Sequence, residues 1–367
     1  MSDRRESLPT DSVRAQDSKD SDDAVDWTIA IYSDPGRTSM WVRRLVRGEG
    51  EWWGRSAEVI HKQALIPLRE DATLDLEEVQ SWAREDEADI TIVITEIPRM
   101  AGRRPKQAEL HFVDKLAIIS LPTLGPFRVR HCLRRELRRC VDALVYHSVG
   151  EARTKGGLTS RVQDQEGHET VYTTPSRYFP GRVWTTLGMV AANEPLRTLP
   201  KLSGLFAAAT GSAAFGVFFS TIWEMATFLP PWRLAAVSVA AVAVVVLWLL
   251  VSNGLWDRPR AVGGKREAFI YNTSTVATLL LSVTAIYGAL FLAILVIGLM
   301  LIDPQFMTDT IGEEADFSNY ASIAWLSASM GTVAGAIGSN FDNDAELKNL
   351  TQGSRELQRY PRDEHQR

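Results

Sequence analysis

Apolar residues are spread unevenly along this chain. Four long runs, Ser203–Phe228, Leu234–Val251, Thr275–Ile302 and Tyr320–Ile337, crowd into the C-terminal half, and none contains Lys or Arg. Each is about the length that a helix needs to cross a bilayer hydrocarbon core of about 30 Å. They predict an all-α bundle of four transmembrane helices within residues 203–340, followed by a polar tail over 341–367.

Between Asp26 and Glu151 the pattern shortens. Trp27–Tyr32 and Ile90–Ile97 are continuous apolar runs of strand length, and Ser56–Ala64 is a weaker strand. Ala108–Val113 and Leu116–Leu121 read as a hairpin turning at Asp114-Lys115. Helical spacing recurs in Met40, Val42, Leu45 and Val46, in Leu76, Val79 and Trp82, and along Pro126–Tyr146. Strands alternating with helices predict a small α/β domain over residues 27–151. Its sheet is partly parallel and Rossmann-like, with a strand order that the pattern leaves open. Residues 1–26, polar and without an apolar stretch, read as a disordered start and not a signal peptide. Residues 152–202 read as a linker with a hairpin at most. In it Val183–Val190 predicts a helix along the membrane surface, with Trp184 at the headgroup level.

Charge sets the expected orientation. Arg258, Arg260, Lys265 and Arg266 lie between the second and third runs, whereas Asp303, Asp309, Glu313, Glu314 and Asp316 lie between the third and fourth. Positive segments stay in the cytoplasm during insertion, so the basic segment is expected inside and the acidic one outside. Arg182, Arg197 and Lys201 agree, and Arg233 alone dissents. The chain is therefore expected in the plasma membrane, with both termini cytoplasmic. Cys132 and Cys140 sit eight residues apart on one predicted helix, about 12 Å along its axis, too far for a disulfide within it.

Two loops are expected at the carboxyl edge of the sheet, where open α/β sheets bind ligands. Gly36, Arg37, Thr38 and Ser39 in the first, with Arg99, Arg103 and Arg104 in the second, form a candidate anion site; a turn beside a solvated basic loop is the plainer reading. The Pro126–Tyr146 helix has an apolar stripe of Val129, Leu133, Leu137, Cys140, Val141 and Leu144. Opposite it stands a basic face of Arg128, Arg130, Arg134, Arg135, Arg138 and Arg139. That face is either solvated or drawn to anionic headgroups. Nucleic acid is not expected, because the net charge is −5 and no recognition motif accompanies the patch. Small residues recur as Gly204, Ala208, Ser212 and Gly216, and as Ser327, Gly331 and Gly335, at the spacing that lets helices pack closely or self-associate. Glu224 is the one ionisable residue within a run, near its outer end, where it reads as an interfacial carboxylate. The six histidines are scattered without zinc spacing, no catalytic motif is found, and no metal or cofactor is implied.

The segments Ser33-Asp34-Pro35-Gly36, Ile92–Gly102, Ser120–Gly125, Gly188–Pro195, Gly254–Pro259 and Gly335–Phe341 together resemble those of a family of uncharacterised integral membrane proteins. That family, of high-GC Gram-positive bacteria (actinobacteria), carries a cytoplasmic α/β domain before four spans, and the likeness covers most of Trp27–Arg359. It implies architecture and no established activity. Some members bear a methylenetetrahydrofolate dehydrogenase label, but the Tyr-x-x-x-Lys element of such enzymes is absent from this sequence. Two functional readings follow. One is a sensor or scaffold whose cytoplasmic domain binds an anionic small molecule or a protein partner. The other is a membrane-anchored enzyme with a nucleotide- or folate-type ligand, or a small-solute transporter.

Overall fold

Successive side chains of a strand point to opposite faces, and the strands of the N-terminal unit use this to fill two cores. In the computed structural model, residues 27–47, 57–69, 74–101, 104–146, 148–155, 161–165, 168–174, 181–193, 203–258 and 265–338 are described. The chain divides after Ala192 into two compact units. The first runs β1 (Trp27–Ser33), α1 (Arg37–Arg47), β2 (Ala57–Gln63), α2 (Leu76–Glu85), β3 (Ile90–Thr95), β4 (Met100–Ala101), β5 (Arg104–Pro105), β6 (Ala108–His111) and β7 (Leu116–Ser120). A 3-10 turn (Leu121–Leu124) follows, then α3 (Val129–Leu144), α4 (Val149–Lys155), β8 (Arg161–Gln165), β9 (His168–Thr173) and α5 (Gly181–Ala192).

One sheet has the order β2-β1-β3-β7-β6-β9-β8. Its first four strands are parallel and the rest pair antiparallel. Ile29 and Ile31 of β1, Ile90, Ile92 and Ile94 of β3, and Ala117 and Ile119 of β7 meet α1, α3 and α4 on one face. Ala30, Tyr32, Val93, Leu116 and Ile118 meet Ile66, Leu68, Leu74 and Val79 on the other. Each fully buried Ile or Leu is worth about 1.5–3 kcal/mol, so this double layer is the main source of the unit's stability. The sheet takes in β9 and β8, where the sequence pattern placed a linker, and the unit runs on to α5. That helix packs on the 3-10 turn. Gly188 lies against the Pro122 carbonyl and the Trp184 indole covers Gly125, so close that a side chain at either glycine would collide. Trp184 is thus committed to the α/β unit, not turned outward as the surface-helix reading expected.

The second unit comprises α6 (Ser203–Ala213), α7 (Phe215–Phe218), α8 (Ser220–Phe228), α9 (Pro231–Ser252), α10 (Lys265–Leu301), α11 (Pro304–Ile311) and α12 (Phe317–Gly338). Among the described residues, α9, α10 and α12 are long and apolar enough to cross a membrane. The run Ser203–Phe228 is not one straight helix: the stretches Gly204–Phe218 and Ser220–Phe228 meet at 85°. Phe219 adopts extended dihedrals, and the indole Nε1 of Trp223 donates to the Gly216 carbonyl at 2.9 Å, giving that carbonyl an acceptor role the turned chain leaves open. At 37 residues, α10 is about 55 Å long, so it continues well beyond the expected span into the basic segment. The acidic segment holds α11, capped by Asp303 Oδ1 accepting from Gln305 N and Phe306 N at 2.9 and 3.0 Å.

Small residues bring α6 and α7 onto α12 in an antiparallel stagger: Gly216 on Ser327, Ala213 on Gly331 and Ala209 on Gly335. The fourth-run stripe is therefore used inside the bundle, while Gly204 faces open space and is exposed. Between α9, α10 and α12, the hydroxyls of Ser238, Tyr287 and Ser329 lie 2.9–3.1 Å from one another. A Cβ at Gly331 would stand 2.6 Å from the Ala209 carbonyl oxygen. Gly331→Val is expected to destabilise the detergent-solubilised protein by about 1–3 kcal/mol in thermal unfolding, as overpacking does. Gly204→Val, with no neighbour within 4 Å, is expected to leave the melting temperature unchanged.

Candidate functional site

Strand order reverses at β1, with β2 on one side and β3 on the other, and such a switch point opens a crevice at the carboxyl ends of the strands. Both loops singled out by the sequence emerge there. Gly36 turns with φ +93°, a left-handed conformation costly for other residues, and Thr38 Oγ1 donates to Glu96 Oε1 at 3.2 Å. Asp34, fully buried, ties the loops together. Its Oδ2 accepts from Thr95 Oγ1 at 2.8 Å and from Glu96 N at 2.7 Å, and its Oδ1 from Ile66 N at 3.2 Å. Ser39 Oγ donates to Gln63 Oε1 at 3.0 Å.

The arginines of the candidate anion site turn elsewhere. Arg37 Nη1 donates to the Ala191 carbonyl of α5, and Arg99 Nη2 donates to Glu109 Oε2 at 2.7 Å. Arg104 is exposed on β5, and Arg103 lies outside the described residues. Asp34 and Glu96 are buried beneath the two loops, their oxygens accepting the bonds that hold the loops together. Nearby, Ser33 Oγ and His61 Nε2 stand 2.8 Å apart. Burial, reinforced by Arg43, pushes His61 down to about 4, so the ring is a neutral base near pH 7. Ser33 is nevertheless fully buried, and the pair ties β1 to β2 without presenting a nucleophile.

Sequence reasoning missed a charged cluster on β6. Glu109 accepts from Arg99 and from Lys106 Nζ at 3.2 Å, His111 Nε2 stands 3.9 Å away, and Lys106 lies over the Tyr172 ring. Burial alone would raise the Glu109 carboxyl. The Arg99 guanidinium, followed by Lys106, outweighs it and holds the group below the ordinary Glu value. Burial lowers His111, against an opposing pull from Glu109. A signal was present: Glu109 and His111 share one face of a strand whose alternate residues, Ala108 and Leu110, are apolar.

On α3 every residue of the expected apolar stripe is buried, and Glu136 is buried with it, accepting from Thr173 Oγ1 at 2.6 Å. Burial, with Glu136 nearby, raises the Cys140 thiol well above its usual value, so it stays protonated and inert. Arg128, Arg130 and Arg135 are exposed, and Arg134, Arg138 and Arg139 half-buried. Together His131, Arg134, Arg135, Arg138, Arg139 and Asp142 line an open groove of about 390 Å³. Glu224 is exposed on α8, beyond the bend. Among the described residues, no three His, Cys, Asp or Glu side chains gather as a metal site. No family model, curated protein or solved structure matches the chain.

Acid should loosen the first unit. His61 and His111 are depressed below the ordinary His value, so the stability they contribute is complete above about pH 6.5 and lost as pH falls through their lowered values, near 4 for His61. Glu109 adds a loss below its ordinary range, where protonation removes the partner of Arg99 and Lys106. Denaturant titrations between neutral and acid pH check this. Glu109→Gln is expected to cost about 3 kcal/mol at neutral pH, as breaking one side of a buried pair does, and to flatten the acid limb.

Proposed function

We propose that this is a multi-pass plasma-membrane protein, with both termini cytoplasmic, whose α/β unit serves as a sensor or scaffold by holding an anionic small molecule or an acidic segment of a protein partner. The observation that carries this reading is the α3 groove, lined by four arginines, a histidine and one aspartate, with Arg139 also bonded to Glu136. Arginine forks match phosphate and carboxylate geometry, and a groove on a rigid helix presents them without ordering a loop. The switch-point crevice is the weaker location, since Arg37 and Arg99 are engaged by Ala191 and Glu109. The resemblance to the actinobacterial four-span family belongs to the same proposal and favours the same layout.

A small-solute transporter is the second reading. The 85° break at Phe219 favours it, because discontinuous helices commonly form transport sites, and Glu224 lies one turn beyond. Loss of flux in proteoliposomes on Glu224→Gln would support transport; unaltered flux would oppose it.

The primary reading is tested by thermal shift of the full chain in nanodiscs against inorganic phosphate, nucleotides, sugar phosphates and folates. An anion that occupies the groove stabilises by about 2.7 kcal/mol at a hundredfold excess over its Kd. Arg135→Glu should remove that shift without lowering the unliganded melting temperature. Absence of a shift with every anion, or a shift that survives Arg135→Glu, would overturn the assignment.

A further inference from the structure

Among the described residues of the first unit, Phe127 at 70%, Val183 at 46% and Leu187 at 40% are large apolar side chains left exposed on the two segments that meet at the turn before α3. Phe127 is two residues beyond Gly125, which the indole of Trp184 covers; Leu187 precedes Gly188, which rests on the Pro122 carbonyl. The two glycine contacts fasten α5 to the turn before α3. They commit Trp184 to that joint and leave Val183 and Leu187, one helical turn apart, exposed on the helix that packs on the turn before Phe127. Exposed Arg128, Arg130 and Arg182 are interleaved with these side chains. Neither 126–135 nor 181–192 contains Asp or Glu, so the charge of both segments is of one sign.

We propose that this edge of the α/β unit is a docking face for an anionic bilayer surface, in which Phe127, Val183 and Leu187 enter the headgroup region and Arg128, Arg130 and Arg182 engage lipid phosphates. Apolar anchors among basic residues are the composition that binds such an interface. Each Arg near an anionic leaflet adds attraction, and burial of the three anchors adds to it. The occupant is argued from the chain itself. Only residues 193–202 separate α5 from the first apolar helix, a leash of at most about 36 Å, so the face stays at high local concentration beside any bilayer that the second unit crosses. Weak intrinsic affinity is then enough. The inference rests on the second unit spanning a membrane and is independent of what the α3 groove holds.

The full chain, in a Cys132→Ala/Cys140→Ala background, is reconstituted into vesicles of phosphatidylcholine alone or mixed with phosphatidylglycerol. A fluorophore is attached at Phe127→Cys, Leu187→Cys, Val113→Cys or Val239→Cys, and quenched by doxyl lipid or by aqueous iodide. Val113 is exposed at the opposite end of β7, and Val239 on α9 is exposed and apolar. The expected result in phosphatidylglycerol vesicles is severalfold lipid quenching at positions 127, 187 and 239, with position 113 quenched by iodide alone. Adding Arg128→Glu and Arg182→Glu should return 127 and 187 to iodide quenching while 239 is unchanged. Iodide quenching at 127 and 187 with lipid quenching at 239 overturns the docking face and leaves the spans standing. Equal lipid quenching at 113, 127 and 187 overturns it too, since proximity alone would then explain the signal. Iodide quenching at 239 removes the membrane reading and this inference with it.

Discussion

A peptide group left without a hydrogen-bond partner in hydrocarbon costs several kcal/mol, and the proposed membrane setting imposes that constraint on the second unit. In that setting it accounts for the helical state of Pro231–Ser252, Lys265–Leu301 and Phe317–Gly338, and for the exposure of Leu247, Val251, Met300 and Ile337. It also explains the form of the exception. Where the chain turns at Phe219, the Trp223 indole reaches back to the Gly216 carbonyl, and where serines and a tyrosine enter the bundle they bond to one another and to helix carbonyls. Close approach of Ala209, Ala213 and Gly216 to α12 supplies dispersion contacts, the kind of packing that holds helices together where lipid replaces water.

The first unit is built around a sheet whose apolar strands are buried on both faces, and its buried carboxyl groups are paired. Asp34 joins the ends of β1 and β3, Glu136 joins α3 to β9, and Glu109 gathers Arg99 and Lys106. Charged surface lies outside the sheet, on the arginine side of α3 and on the edge where α5 meets the turn before it. Both surfaces are basic, although the chain as a whole carries −5; the distribution of charge, not its sum, decides what each face attracts.

Local periodicity made much of this legible. The strands Trp27–Ser33 and Ile90–Thr95, the hairpin of β6 and β7, the stripe of α3 and the apolar helices α9, α10 and α12 all stand near where the pattern of residues put them. What escaped depends on contacts distant in sequence. Arg161–Gln165 has one apolar residue, Val162, and joins the sheet through backbone pairing, which leaves no periodic trace. The bend at Phe219 has no proline to announce it. The docking of α5 rests on Gly188 and Gly125, whose neighbours lie about sixty residues away. The arginines of the loops were visible as charge, but their partners, Ala191 and Glu109, were not, because a guanidinium's acceptor is chosen by tertiary packing.

The proposed topology carries the apolar helices across a bilayer with the basic segment inside and the acidic segment outside. Single cysteines at Asp309 on α11 and at Arg258 after α9, both exposed, test it directly with a membrane-impermeant maleimide on intact cells. The account predicts labelling at 309 before permeabilisation and at 258 only after it. Labelling at 258 in intact cells, or protection of 309, would contradict it.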